Sequence, residues 1–428
     1  MAREGLHLDV DTSVSGGLTR HTVRLYEDGT RDTHLAFYEH ERTTPPAGEE
    51  TLDFAVLGFI FRAMQVGRPL IVHGALSRTL LWNLEAFQGA WQCWKPQRYR
   101  QVEVVPERIV DRTAALGRKA IAAYSGGVDS TYTALRHTHL LAPENRRHLT
   151  TLLTVHGFDV SLDHPDHFER LLERTHLFRD YVGLDLRVAR TNSKELHLQD
   201  WQDSHAAELA ACLHLFADEF EFGLIGSTKS YDALVTPYGT SPITDHLLSG
   251  GMTIVHDGAV ASRTEKIETI ARHPVAVRTL KVCWEGRQQY TNCGVCEKCV
   301  RTRLNFAAAG IPEPDCFDGP VVLRQIRSIP VRNEPQAAEL RSIVDYAGEH
   351  GVGGDWLEAL EKRLANIRPE PRVLTWLRAA GHSVRRGAGQ ALDALGVKRP
   401  AKRLWNTLRR GTVTVPDRVG GGQADRPR

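Results

Sequence analysis

The chain has 428 residues, of which 41% are hydrophobic and 25% charged, an ordinary composition for folded domains. This composition excludes disorder over the whole length, and the length predicts two to three domains. The formal net charge is +2, but residues 368–428 hold 14 Lys/Arg against four Asp/Glu. The preceding part of the chain is therefore acidic, and a basic tail of this kind predicts a polyanionic partner.

Secreted and membrane-spanning classes are not indicated. The first residues, MAREGLHLDVDTSV, lack a basic segment followed by an apolar one, so no secretory signal is expected. The most apolar run, 54–61, ends at Arg62, far short of the roughly 18 apolar residues of a membrane span. Four of the seven cysteines lie within 17 residues, which favours a metal site in a reducing compartment over disulfides. We therefore expect a cytoplasmic protein with no transmembrane segment.

The first part of the chain, 1–116, predicts an N-terminal α/β domain. Residues 1–45 alternate polar and apolar positions, and Asp28-Gly29 is a strong hairpin signal there. The apolar periodicity then predicts a helix, a strand and a second helix, at 50–66, 69–73 and 76–92.

Strands alternating with helices follow, a pattern typical of βαβ units and a buried parallel sheet. The predicted strands are 119–124, 149–155, 184–189 and 222–225, and the predicted helices are 129–140, 164–182 and 204–220. Ligands of such sheets bind at the carboxyl ends of the strands. We therefore expect a parallel-sheet domain over 117–310 with its ligand at that edge.

A C-terminal extension, 311–428, begins at the sequence IPEPD. Helical periodicity covers 335–365, short helices are possible at 371–380 and 400–410, and 411–428 should be disordered. Pairs of basic residues interleaved with Trp376 and Trp405 suit an anionic membrane surface or RNA phosphates. The alternative is a solvated tail without a partner.

The segment Ser125-Gly-Gly-Val-Asp-Ser130 lies between a predicted strand and a predicted helix and has the features of a phosphate-binding loop. Gly126 and Gly127 allow the backbone to approach an anion closely, and the first amides of the following helix favour negative charge. Asp129 is suited to cap the helix or to hold Mg²⁺. Hydroxyl donors are supplied by Ser125, Ser130 and Thr131.

This loop resembles the PP-loop of the ATP pyrophosphatase (adenine nucleotide α-hydrolase-like) superfamily. The resemblance implies a Rossmann-like (HUP) nucleotide-binding core that cleaves ATP, with Mg²⁺, to AMP and pyrophosphate. It also implies an adenosine contact at His156-Gly157, an anion or substrate contact at Gly226-Ser227 and a catalytic lysine at Lys266. Asp245 is a further candidate ligand of Mg²⁺ or substrate. The alternatives are a solvent-exposed lysine at 266 and a simple turn residue at 245.

Four cysteines downstream provide enough soft ligands for one tetrahedral site. They are Cys283, Cys293, Cys296 and Cys299, and Gly294 allows the chain to turn between them. Lys281, Lys298 and Arg301 would offset the negative charge of four thiolates. A closed site of this kind predicts structural Zn²⁺; a [4Fe–4S] cluster is the alternative, because the spacing C-x2-C-x2-C also occurs in ferredoxins.

Combined with the loop, the sequence N-C-G-x-C-x-x-C is similar to the 7-cyano-7-deazaguanine synthase (QueC) family over about 119–310. That resemblance implies adenylation of a carboxylate followed by capture of ammonia as an amide. The segments after His156 and Tyr238 differ from the family patterns D-Y-G-Q-x-H and Y-P-D-C-R. We expect the ATP chemistry to carry over, but neither the deazaguanine substrate nor the nitrile step.

The prediction is an AMP-forming ligase that activates a carboxylate or carbonyl oxygen of an acceptor for attack by nitrogen. The three remaining cysteines, Cys93, Cys212 and Cys316, lack an evident activating cation or helix start, which favours nitrogen over sulfur. Two alternatives stay open: sulfur transfer to tRNA or to a small molecule, and a non-catalytic nucleotide-binding module.

Overall fold

The computed structural model of this chain describes residues 4–29, 33–41, 51–111, 117–331 and 334–366. The basic tail, with its predicted helices at 371–380 and 400–410 and its predicted disorder at 411–428, lies outside these residues. Among the helices of the described part, none is long and apolar enough to cross a membrane.

The described residues contain ten strands and eleven α-helices. The strands are β1 (Leu6–Ser15), β2 (Leu18–Glu27), β3 (Thr33–Glu41), β4 (Leu70–Ser77), β5 (Val104–Val110), β6 (Lys119–Ala123), β7 (His148–His156), β8 (Asp185–Thr191), β9 (Phe222–Gly226) and β10 (Thr253–Asp257). The helices are α1 (Asp53–Val66), α2 (Arg78–Trp94), α3 (Val128–Leu135), α4 (Pro165–Val182), α5 (Trp201–His214), α6 (Arg263–Ala271), α7 (Pro274–Thr279), α8 (Glu297–Ala308), α9 (Leu323–Arg327), α10 (Glu334–Glu349) and α11 (Asp355–Ala365).

All ten strands belong to one mixed sheet, in the order β10-β9-β6-β7-β8-β3-β2-β1-β4-β5. Neighbouring strands are parallel from β10 to β8, as the alternation of strands and helices predicts, and β1, β4 and β5 are also parallel. β1, β2 and β3 form an antiparallel meander, and β3 is antiparallel to β8. The α/β class with a largely parallel central sheet is therefore confirmed.

The pairing of β3 with β8 joins the first 116 residues to the parallel strands in one sheet. Asn192 secures this junction: its Oδ1 accepts a hydrogen bond from the backbone N–H of Phe37 at 2.8 Å, and its amide group donates to the carbonyl of Leu35. Across the same strands, Arg20 and Arg190 both pair with Glu39. The domain boundaries 1–116, 117–310 and 311–428 stay predictions.

Several element boundaries differ from the predicted ones for local reasons. The alternating segment 1–45 contains two strand reversals, and Gly16-Gly17, with positive φ at both residues, makes the first of them. Asp28-Gly29 begins the connection to β3, which partly lies outside the described residues. The helix predicted at 204–220 starts at Trp201, because the Asp200 side chain caps it by accepting the N–H of Gln202, and it ends at His214.

Replacing Gly58 by Ala should destabilise the protein, although alanine is the better helix former by about 1 kcal/mol. Gly58 of α1 faces β3, and a Cβ there would clash with the hydroxyl of Tyr38, whose rigid side chain is fully buried. We expect the free energy of unfolding, measured by urea denaturation, to fall by about 1–3 kcal/mol.

The matched control is Gly348→Ala in α10, where an added Cβ meets no atom within 4 Å. This substitution should be neutral or stabilising. Equal stabilisation by both substitutions would contradict the close packing of α1 on β3.

Candidate functional site

The segment Ser125–Ser130 forms the loop between β6 and α3. Gly126 has a φ of 74°, and its carbonyl accepts a hydrogen bond from the backbone N–H of Lys281 at 2.8 Å. The Ser130 hydroxyl closes the loop, because it donates to the carbonyl of Gly127 and accepts the N–H of Ser125. Thr131 is fully buried in the first turn of α3. The first amides of an α-helix have no intrahelical acceptor, so this turn is suited to an anion.

The strand order places this loop at a switch point of the sheet. The chain adds β7 and β8 on one side of β6 and then returns to add β9 and β10 on the other side. Such a reversal leaves a crevice at the carboxyl ends of β6 and β9, where ligands of parallel sheets bind. A Cβ on Gly226 would lie 2.9 Å from the carbonyl of Asp129, so only glycine allows β9 to end this close to α3. Gly226 and Ser227 therefore lie beside the predicted phosphate loop.

Two cations from α6 converge on Asp129. Arg263 donates to one carboxylate oxygen of Asp129 at 2.6 Å, and the Lys266 ammonium lies 3.4 Å from the other. Lys266 also donates to the carbonyl and the hydroxyl of Ser227, at 2.6 and 2.9 Å. Burial lowers the pKa of Lys266 below its ordinary value, and Asp129 offsets this only in part. Lys266 is fully buried, which contradicts its alternative interpretation as a solvent-exposed lysine.

The cations behind the loop share a second carboxylate, Glu339 of α10, which no sequence motif indicates. Its oxygens lie 2.7 Å from Lys229, 2.7 Å from Arg301 and 3.5 Å from Arg263. Burial raises the pKa of Glu339, but the three cations outweigh burial and lower it to about 2. The available signal was helical spacing, because Glu339 stands four residues before Ile343, which is fully buried in α10.

The other predicted ligand residues make contacts within the protein. His156 ends β7, is buried, stacks on Phe168 at 4.2 Å and lies 3.1 Å from the carbonyl of Ser161. Burial lowers its pKa. Gly157 follows it, with a φ of 112°.

Asp245 is fully buried in a 3₁₀ turn. One of its oxygens accepts the N–H of Ser241 at 2.9 Å, and the other lies 2.8 Å from Nδ1 of His256 in β10. Both oxygens are thus engaged within the protein, and they tie the 237–245 loop to the edge strand.

The four clustered cysteines form a candidate metal centre, with all their sulfurs within 4.8 Å of one another. The Sγ–Sγ distance is 3.8 Å from Cys283 to Cys296 and 3.9 Å from Cys293 to Cys299. A tetrahedral ion with bonds of about 2.3 Å to sulfur separates its ligands by about 3.8 Å. The residues therefore fit one Zn²⁺ ion, whereas a four-iron cluster, with one thiolate on each iron, needs a wider spacing.

Asn292 organises the backbone around this centre. Its side-chain oxygen accepts the N–H groups of Val282 and Cys283, and its amide group donates to the carbonyls of Leu280 and Cys316. Gly294 has a φ of 70°, so the expected turn after Cys293 is present. The backbone N–H of Lys281 donates a hydrogen bond to the carbonyl of Gly126, so the segment leading into the metal centre also supports the phosphate loop.

The chain matches no protein-family model, no curated protein and no solved structure. The resemblance to PP-loop enzymes therefore stays a prediction, carried by the loop, the cysteine spacing and the geometry around Asp129.

Replacing Cys296 by Ser should remove the metal. Metal analysis of anaerobically purified protein should find one zinc per chain in the wild type and a large loss in the variant, together with a lower melting temperature, because metal affinity at such sites is coupled to folding. The control is Cys93→Ser, since Cys93 is exposed in α2. A brown, iron-containing wild-type protein would contradict the zinc assignment.

Replacing Glu339 by Gln should lower the free energy of unfolding at neutral pH by about 3–5 kcal/mol, because buried cations lose their shared anion. The folded-state pKa of about 2 lies below the ordinary value of 4.5. The stabilisation is therefore complete above about pH 4.5 and is lost as the pH falls through about 2. Urea denaturation across this pH window should show the difference from wild type shrinking toward low pH.

Glu349→Gln is the control, because Glu349 is an exposed glutamate of the same helix. It should match the wild type at every pH. If the free energy of unfolding of the Glu339 variant is lower than that of the wild type by the same amount at every pH, the ion pairs do not cause the difference.

Proposed function

We propose that this protein is an ATP-dependent adenylating enzyme that cleaves ATP to AMP and pyrophosphate at the Ser125–Ser130 loop. The observation that carries the proposal is the buried contact of Lys266 with Ser227 and Asp129 at the switch point of the sheet. An ammonium held against the first turn of α3 supports this proposal, because it would stabilise negative charge that develops on phosphates. Asp129 is paired by Arg263, so its own charge repels a phosphate less strongly.

In this proposal each group has a defined task. The loop, from Ser125 to Thr131, holds the phosphates through backbone N–H and hydroxyl groups, and Asp129 is the carboxylate for Mg²⁺. His156-Gly157 and Gly226-Ser227 border the nucleotide at the ends of β7 and β9. The four cysteines would hold a Zn²⁺ ion, whose role would be structural and outside the chemistry.

The acceptor contributes a carboxylate or carbonyl oxygen, and nitrogen then displaces AMP to form an amide-type product. Thiol chemistry is less well supported, because sulfur transfer needs an accessible thiolate. Burial raises the pKa of Cys212 well above its ordinary value and the pKa of Cys316 to about 12. Cys93 is exposed, but it lies in α2, outside the Ser125–Ser130 loop.

The polyanion proposed for the basic tail, tRNA or an anionic membrane surface, concerns residues outside the described part of the chain. Binding of tRNA and of anionic vesicles before and after deletion of 368–428 distinguishes the two. The non-catalytic alternative predicts ATP binding without pyrophosphate release.

Replacing Asp129 by Ala should reduce pyrophosphate release by at least about 100-fold, since the charge arrangement at the loop is lost. The measurement is a coupled pyrophosphate assay with ATP, Mg²⁺, ammonium and a panel of carboxylates, applied first to the wild type to find an acceptor. Asp185→Ala is the control, because Asp185 is exposed at the amino end of β8, the opposite edge of the sheet. Unchanged turnover in the Asp129 variant would rule out the assigned site.

A further inference from the structure

Lys281 is a buried lysine whose ammonium nitrogen has no hydrogen-bond acceptor within the described residues. Its side chain has 0% exposure, and an oxygen of Asp159 lies 3.9 Å away, beyond hydrogen-bond distance. The sequence predicts that Lys281 offsets the charge of the thiolates, but its ammonium makes no hydrogen bond to a cysteine sulfur. A buried cation without an acceptor is costly, so this position points to a ligand that supplies the acceptor.

Two further lysines lie around Asp159. Burial raises the pKa of Asp159, but Lys281, Lys298 and Lys194 outweigh burial and leave the pKa below its ordinary value. Lys194 is held in place, because its ammonium donates to the carbonyl of Phe158 at 2.6 Å and lies 4.4 Å from the Trp201 ring centroid. Three lysines thus act on one carboxylate, Asp159, and Glu208 and Glu195 also act on Lys194.

This lysine cluster (Lys194, Lys281 and Lys298) adjoins the phosphate loop. The backbone N–H of Lys281 donates to the carbonyl of Gly126. A Cβ added to Gly126 would lie 3.6 Å from the Cβ of Lys281. Asp159 follows the carboxyl end of β7, and Lys194 follows that of β8. The cluster is therefore at the ligand-binding edge of the sheet.

We propose that the lysine cluster is an oxyanion-binding pocket, with Asp159 as an internal anion that the ligand displaces. The ligand chemistry is a phosphate or carboxylate oxyanion, from the phosphate chain of the nucleotide or from an acidic group of the acceptor. The choice between these two sources of the oxyanion rests on the proposed function, whereas the existence of the pocket is independent of it.

The test is isothermal titration of inorganic pyrophosphate, and separately of ATP, into four proteins without Mg²⁺: the wild type, Lys281→Met, Asp159→Asn and Lys119→Met. Loss of a charged partner should weaken pyrophosphate binding to Lys281→Met by at least about tenfold. Asp159→Asn should strengthen it, because the competing anion is removed. Lys119 is exposed at the amino end of β6 and serves as the control.

The ATP arm identifies the source of the oxyanion. A parallel loss of ATP affinity in Lys281→Met assigns the pocket to the nucleotide, and unchanged ATP affinity with weaker pyrophosphate binding assigns it to the acceptor. The opposite signs expected for Lys281 and Asp159 keep the test decisive if one variant folds poorly.

Three results would overturn the pocket: no pyrophosphate binding to the wild type, equal binding to Lys281→Met, or weaker binding to Asp159→Asn. If Lys281→Met loses zinc but binds pyrophosphate as tightly as the wild type, the role of Lys281 is to offset the charge of the thiolates. A third outcome separates the two proposals. If pyrophosphate binds in a lysine-dependent way but no acceptor drives release of pyrophosphate from ATP, the oxyanion-binding pocket stands and only the proposed function is refuted.

Discussion

The site depends on ion pairs between buried cations behind the loop and the carboxylates of Asp129 and Glu339. Lys229, Arg263, Lys266 and Arg301 are all nearly or fully buried, and cations in such positions are tolerated only with matched anions. Asp129 provides the anion on the loop side, and Glu339 provides it from α10. The loop, α6, α8 and α10 are thus positioned relative to one another by charge as well as by apolar packing.

Apolar packing also connects α10 to α8. Leu340 and Ile343 of α10 are buried in one cluster with Val300 and Leu304 of α8. α8 also begins at the metal centre, with Cys296 as its N-cap and Cys299 in its first turn. A closed Zn²⁺ site would therefore fix the start of the helix that carries Arg301, as well as the segment that supports Gly126.

Features that depend on neighbours in sequence were predictable. The Ser125–Ser130 loop and the four cysteines each bring their groups together through short spacings in sequence, so local backbone geometry is enough to position them. The alternation of strands and helices predicted the parallel strands for the same reason. The antiparallel pairing of β3 with β8 was not predictable in this way, since it joins residues about 150 positions apart through side chains such as Asn192.

The sequence by itself determined the class of fold, the candidate phosphate loop and the candidate metal ligands, because each of them depends on local spacing and periodicity. Only the tertiary structure decided which charges meet. Arg263 and Lys266 reach Asp129 from more than 130 residues away, and Glu339 stands on a helix without any motif. Within the described residues the Lys281 ammonium has no hydrogen-bond acceptor. The sequence could not show this, because whether a lysine is solvated, paired or left for a ligand depends on what packs around it.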